Sequence, residues 1–263
     1  MQIKSPGGGN FRKVIPGIEK MSESFALPRH RHLTPYATVV LSGTVDEAGY
    51  NGRIQAGAGD VLIHSWMDSH ANCKVVAGLR LIRLDWWDPL FSSGLYQISN
   101  PDEIAIAAER DPFEASLLLA ESMKRHAVPS PRTKNDWPDL LASSLTENVV
   151  TGIGHWARKH NLVPETVSRG FASAYGVSPE VFRAEARARI AWMRISRGTD
   201  KLSTIAAETG FADQAHMTRW VHRTSGATPH AWRQQHSDSS HQNRNELDAR
   251  AGCDTPRASN GFI

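Results

Sequence analysis

The 263-residue chain reads as a two-domain protein. An N-terminal all-β barrel or sandwich is followed by helices, and then by an all-α part in which one long helix joins two helix-turn-helix units. Three observations predict this. Residues 11–86 alternate short apolar runs with turn signals, the pattern of many short strands. From Pro101 onward, proline–acid pairs that start helices replace them. Residues 157–233 then say nearly the same thing twice. Displaced by 50 positions, Ala157 falls on Ala207, Arg169 on Arg219, Gly176 on Gly226, Pro179 on Pro229 and Arg183 on Arg233. A repeat that dense implies one supersecondary unit used twice.

Bulk properties narrow the function classes. Apolar residues make up 40% and charged residues 22%, which suits a soluble globular chain. No run of eighteen apolar residues exists, so a membrane span is excluded. Met1 to Gly9 lack the apolar core of a signal peptide, and Cys73 and Cys253 fit a reducing compartment without pairing; both features predict a cytoplasmic protein. Charge is uneven along the chain. Residues 151–235 carry 12 basic and 6 acidic residues, whereas 101–150 carry 5 and 9. A basic module beside a neutral one suits polyanion binding by one part only.

Taken in order, Ala37-Thr38-Val39-Val40-Leu41, Val61-Leu62-Ile63 and Leu79-Arg80-Leu81-Ile82-Arg83-Leu84 are expected strands. Ser42-Gly43, Tyr50-Asn51-Gly52 and the Gly57–Asp60 stretch are expected turns. Pro101-Asp102-Glu103 opens one helix, and Asp111-Pro112-Phe113-Glu114 opens another running to about Arg125. Ala127 to Asn135 reads as a loop or linker, followed by a helix from about Pro138 to Val150. Leu117, Leu118, Leu119, Leu140, Leu141 and Leu145 suit either an intramolecular core or a helical pairing surface. The tail from His236 has no apolar periodicity and is expected to be disordered. The boundaries are thus 1–100 for the β domain, 101–135 for a helical dimerisation or linker segment, 136–235 for the double helix-turn-helix and 236–263 for the tail.

Within the repeat, helices are expected over Gly154–His160, Pro164–Tyr175, Glu180–Ser196, Leu202–Thr209 and from the Asp213 cap to Thr224, with Gly176 and Gly226 as stops. At 100° per residue, Val167, Phe171 and Ala174 share the inward face of one second helix, and Glu165 and Arg169 lie opposite. Met217 and Val221 face inward in the other, with Ala215 and Arg219 outward. Ser168, Thr218, Gln214 and His216 flank those outer faces. Such side chains suit base edges, since Arg pairs bidentately with guanine and Gln with adenine. Arg158, Lys159, Arg183, Arg187, Arg223 and Arg233 are candidate phosphate contacts. A plain helical bundle with a solvated basic face is the competing reading.

The run Ile205-Ala206-Ala207-Glu208-Thr209-Gly210-Phe211-Ala212-Asp213-Gln214-Ala215-His216-Met217-Thr218-Arg219, with Gly226-Ala227-Thr228-Pro229 and Trp232-Arg233 after it, resembles the signature of AraC/XylS-type transcriptional regulators. The resemblance spans about Thr151 to Gln234. It implies two recognition helices entering successive major-groove turns, with Glu165, Ser168 and Arg169 in the first and Gln214, Ala215, His216 and Arg219 in the second facing bases. Three positions depart from the family: Val163 replaces the usual capping Ser, Met217 the usual Phe, and Trp220 is unusually bulky. An uncapped first helix predicts that the first motif is the weaker reader.

In the front half, His30-Arg31-His32 puts two imidazoles on one strand face. With Gly43, then Gly59-Asp60, then His70, the order resembles the cupin pattern, and a small β-barrel of that kind is the usual sensor half of AraC/XylS regulators. Such a barrel implies an effector pocket at His30, His32, Tyr36 and His70. A cupin metal site needs three imidazoles plus a carboxylate a few residues after the second His. Here His30, His32 and His70 would supply the imidazoles, but Tyr36 and Ala37 stand at the carboxylate's place, and His64 is the available substitute. Trp66, Trp86 and Trp87 suit the core or an effector face. The expected function is a sequence-specific DNA-binding transcriptional regulator controlled by a small-molecule effector, not an enzyme, with no cofactor required and a divalent metal in the barrel as an option. The alternative is a metal-dependent cupin enzyme with a helical appendage. Expected partners are double-stranded DNA and an unidentified small molecule, with RNA polymerase and a second copy of the chain as further candidates.

Overall fold

A computed structural model describes residues 11–130, 134–147 and 152–234. The tail from His236 and Cys253 lie outside the described residues. Nine strands fill the front half: β1 (Gly17–Lys20), β2 (Phe25–Arg31), β3 (Tyr36–Ser42), β4 (Thr44–Gly49), β5 (Gly52–Gly57), β6 (Asp60–His64), β7 (Ser69–Val75), β8 (Arg80–Asp85) and β9 (Gly94–Gln97). The turn between β3 and β4 needs its glycine. Gly43 has φ +78°, and a Cβ there would sit 2.9 Å from the Leu79 Cα.

The strands pair as two antiparallel sheets rather than one closed barrel. One runs β1-β8-β3-β6-β9-β10 and the other β2-β7-β4-β5. The sixth strand, β10 (Val128–Pro129), lies inside the expected linker, pairing Val128 with Gln97 and Pro129 with Tyr96. Edge prolines explain part of the open rim, since Pro28 in β2 and Pro129 in β10 cannot donate to a further strand. The sheets face each other across Val40, Leu62, Leu79 and Leu81 from one and Val45, Ile54 and Val75 from the other.

Helices α1 (Pro101–Arg110) and α2 (Pro112–His126) cover the outer face of the six-stranded sheet, burying Ile104, Leu119 and Met123 against Val39, Ile63, Ile82 and Leu84. A fully buried leucine such as Leu119 contributes roughly 1.5–3 kcal/mol. The Asp111 carboxylate accepts from the Phe113 amide at 2.8 Å, so the expected cap is present. Of the expected leucine set, Leu119, Leu141 and Leu145 are core, while Leu117 and Leu140 remain exposed.

The remaining helices are α3 (Trp137–Thr146), α4 (Ile153–Lys159), α5 (Pro164–Tyr175), α6 (Pro179–Arg197), α7 (Leu202–Glu208) and α8 (Gln214–Ser225), with residues 229–234 again helical. The end of the expected 138–150 helix lies outside the described residues. In the pairs α4–α5 and α7–α8 the second helices repeat at 50 residues and both stop at a left-handed glycine, Gly176 and Gly226, with φ 74° and 76°.

The first helices repeat at 49. The Ala157 carbonyl accepts from Leu162 N, and the Ala206 carbonyl accepts from Phe211 N in the same way. Ala157 and Ala206 are both buried, whereas Ala207 is exposed, so the sequence match of Ala157 with Ala207 is corrected by one residue. The physical cause is the turn: one residue separates Leu162 from Pro164, while two separate Phe211 from Gln214.

No helix among the described residues is long and apolar enough to cross a membrane.

Candidate functional site

The recognition faces form where the helical period places them. Val167, Phe171 and Tyr175 of α5, and Met217 and Val221 of α8, are fully buried. Glu165 and Arg169 on α5, and Gln214, Ala215 and Arg219 on α8, are exposed, with Ser168 and Thr218 half-buried beside them. The two helix starts differ. The Asp213 carboxylate accepts from His216 N at 2.6 Å, whereas Val163 gives α5 no side-chain cap. His216 is half-buried, and its Nε2 accepts from Trp220 Nε1 at 3.1 Å, so that nitrogen is already committed within the helix.

The candidate phosphate contacts divide into two groups. Arg158, Lys159 and Arg223 are exposed and Arg183 is half-buried. Arg187 donates to the Gly210 carbonyl at 2.6 Å, and burial followed by the charge of Arg183 lowers its pKa. Arg233 donates to the Asp200 carbonyl. In this conformation those two side chains brace α6 against the second turn and tie the last helix to the end of α6.

Between the two sheets lies a cavity of about 310 Å³. His30, His32, Tyr36 and His70 all line it, so the four expected residues are brought together. His64, Glu47 and Asn72 join them, with Arg12, Lys13 and Arg83 as cationic lining and Met21, Phe25, Leu27, Leu79 and Leu81 as apolar lining. The rings crowd: His30 to His70 is 4.4 Å between centroids, His64 to His70 4.6 Å, and Tyr36 stacks on His64 at 4.4 Å. Burial holds His32 and His64 down at about 3 and His70 well below its usual range, and it lowers His30 as well. All four rings are therefore neutral at physiological pH. Burial and then the charge of Asp68 push Glu47 up to about 8.

Sequence reasoning missed Glu47. It stands on β4, and its Oε2 lies 3.6 Å from His64 Nε2 and 3.8 Å from His70 Nε2. A register shift between Asp46 and Glu47 in the β4–β7 ladder lets Asp46 oppose Lys74 and Glu47 oppose Asn72, skipping Cys73. The available signal was local: Val45 and Glu47 share a strand face, which puts a carboxylate where the core is expected. Two triads have ligand atoms within 4.8 Å of one another, His30–His32–His70 and Glu47–His64–His70. The tryptophans stay out of the cavity lining. Trp86 is core, Trp66 packs near Trp192 of α6 at 6.1 Å, and Trp87 is half exposed and stacks on Phe113.

The cavity wall is also the seat of the helical part. Along β2, His30 lines the cavity while Arg29 and Arg31 reach the other way and both bind Glu185 of α6; Arg29 Nε lies 3.0 Å from Oε2. Arg29 also lies over the Phe182 ring at 5.1 Å and the Tyr50 ring at 5.4 Å. Beyond His64, Asp68 Oδ1 pairs with Arg189 Nη2 of α6 at 3.1 Å, and the Trp66 carbonyl accepts from Arg189 Nε at 2.9 Å. A third tie joins β5 to α3 and α5: Arg53 donates to both Asp139 oxygens, and Tyr175 OH donates to Asp139 Oδ1 at 2.7 Å.

Comparison with known proteins finds similarity in the helical part by sequence. The family model for a helix-turn-helix domain matches residues 156–235. No curated protein sequence matches the chain. Among solved structures, an unsaturated fatty acid bound wild-type ToxT from Vibrio cholerae strain SCE256 is 13% identical, with 81% of this chain and 91% of that one covered and a TM-score of 0.34. A further ToxT from Vibrio cholerae in a P21 form is 12% identical, covering 81% and 94%, and one from Vibrio cholerae O395 is 12% identical, covering 82% and 95%, both with a TM-score of 0.34. Residues 156–235, which hold the two recognition helices on one shared frame, are thus similar to a helix-turn-helix domain.

Proposed function

We propose that this protein is a sequence-specific, DNA-binding transcriptional regulator whose grip on DNA is set by a small molecule in the cavity between its sheets. The observation that carries the reading is the paired recognition helices, one frame with two different outer faces, joined by the same α6 that binds the cavity wall. Glu165, Ser168 and Arg169 read one half-sequence; Gln214, Ala215 and Arg219, with what His216 leaves available, read another. Each monomer therefore takes a non-palindromic site. Arg158, Lys159, Arg183 and Arg223 supply phosphate contacts.

Control runs through β2. A ligand against His30 and His32 bears on the strand whose opposite face binds Glu185, and so on the helix that sets the spacing of both recognition helices. The packing of α1 and α2 on the sheets, and of α3 on α5 and α6, supports a division at residue 135 between sensor and DNA-binding parts. The inward His30, His32 and His70 support a cupin-like ancestry for the two-sheet β part. The chain works in the cytoplasm, without enzymatic activity, with RNA polymerase and a second copy of itself as further partners.

Fluorescence anisotropy on the protein's own upstream DNA tests the reading. Specific binding should weaken steeply with added salt, because phosphate contacts release counterions. Arg219→Ala should cost roughly 1–3 kcal/mol and relax base preference at one position of the site. Absence of binding at low ionic strength would overturn the proposal.

A further inference from the structure

We infer that the cavity holds one divalent transition-metal ion, ligated by Glu47, His64 and His70. The inference rests on the reading of that cavity as the sensor site and names what it senses or uses. Two observations carry it. The first is spacing. Four ligand positions around a tetrahedral ion with bonds of about 2.0–2.2 Å stand about 3.4 Å apart. The Glu47 oxygen lies 3.6 Å and 3.8 Å from the two imidazole nitrogens, a few tenths of an ångström from that spacing, and all three ligand atoms lie within 4.8 Å of one another.

The second is unmet polarity. Glu47 is 6% exposed, and its hydrogen bond among the described residues comes from Asn72 Nδ2 at a long 3.4 Å. Buried His64 and His70 turn their Nε2 atoms toward it without reaching hydrogen-bond distance. A buried carboxylate so poorly matched is costly, and a cation between it and the two rings offsets that cost.

The donor set of two nitrogens and one oxygen, without sulfur, suits zinc, cobalt, nickel or iron(II) rather than copper(I) or calcium. The carboxylate distinguishes this set from His30–His32–His70, which shares His70 but would leave both charges of the ion uncompensated. Three protein ligands leave a position open toward the cavity, where Arg83 and Arg12 favour an anionic co-ligand.

The full chain, stripped with a chelator, is titrated with Co²⁺ by visible absorption and with Zn²⁺ by calorimetry. One ion per chain is expected, with a rise in melting temperature. Outer-shell losses alone weaken metal sites about 10–100-fold, so Glu47→Gln and His64→Ala should each weaken binding by at least about 100-fold. His30→Ala and His32→Ala should change it by less than about threefold. Should His64→Ala fail to fold, the isosteric Glu47→Gln carries the test through its lost thermal shift. Absence of Co²⁺ and Zn²⁺ uptake by the wild type overturns the inference, as does binding lost in His30→Ala and His32→Ala but kept in Glu47→Gln. Operator affinity of the same stripped protein is measured alongside. DNA binding without metal uptake removes the metal site and leaves the regulator; metal uptake without DNA binding does the reverse.

Discussion

The two helix-turn-helix halves share a frame and differ in how they are held. The first half is wedded to the sheets. Its α5 shares a core with Ala48 and Tyr50 of the β domain, its Tyr175 bonds Asp139 beside Arg53, and its Gly170 leaves room for Trp137, whose ring would lie 2.6 Å from an added Cβ. The residue matching Gly170 in the second half is Trp220, which instead fills its own surroundings and binds His216. The second half packs on α6 and meets the β domain through the segment bearing Trp66 and Met67. Its recognition helix is capped by its own Asp213. One half is thus bonded directly to the β domain, and the other reaches it chiefly through α6 and one loop.

Breaking the tie of α6 to β2 should give the largest effect on that comparison. Glu185→Ala removes the carboxylate shared by Arg29 and Arg31, in a setting where all three side chains are nearly buried. Removing one member of such a set costs roughly 3–5 kcal/mol. Chemical denaturation should show that loss, and operator binding should stop responding to effector while still occurring. If the response survives, the sensor does not speak through β2.

A smaller effect is expected at the tie peculiar to the first half. Burial would raise the pKa of Asp139, but hydrogen bonds from Arg53 and Tyr175 hold it down to about 2, against an ordinary 3.8. A depressed carboxylate contributes stability that is present above its unfolded pKa and lost as pH falls toward the folded value. About 2 kcal/mol should therefore disappear between about pH 4 and pH 2 in the wild type and be absent throughout in Asp139→Asn. Urea melts across that range measure it, and an unchanged acid slope in the variant would dismiss the role given to Asp139.

The caps supply the finest distinction. Asp213→Ala should cost about 1 kcal/mol and loosen the second recognition helix, while Val163→Ser should add a few tenths to 1 kcal/mol to the first. Amide exchange at the first turns of α5 and α8 reads both. If Val163→Ser also sharpens base preference in the first half-site, the missing cap is what makes that half the weaker reader.

Much of the helical part was legible because its signals are local. Asp111, Asp213, Gly176 and Gly226 fix helix ends through bonds to residues two to four away, Pro164 does so through its fixed φ, and the 3.6-residue period sorts Val167 from Arg169 without knowledge of any partner. The alignment of Ala157 failed by one residue because a turn's length is set by packing of Leu162 and Phe211, which a sliding comparison does not feel. The bonds of Arg187 and Arg233 to the Gly210 and Asp200 carbonyls could not be read in advance, because backbone oxygens leave no trace in sequence. The imidazoles His30, His32 and His70 were found through an ordered motif. Glu47 was not, because it meets His70 from a neighbouring strand across a bulged ladder and His64 from the opposite sheet, and chain order carries neither relation.

Strand β2 has one further consequence. Its inward imidazole, His30, and its outward guanidinium groups share a backbone but no side chain, so mutation can alter either alone. On the proposed route of control, a new chemical signal would be adopted by rewriting His30 and its neighbours while Arg29, Arg31 and Glu185 went on delivering the message unchanged. A single seven-residue strand would then separate what such a protein listens to from what it does about it, and a lineage built on it could change its vocabulary without relearning its grammar.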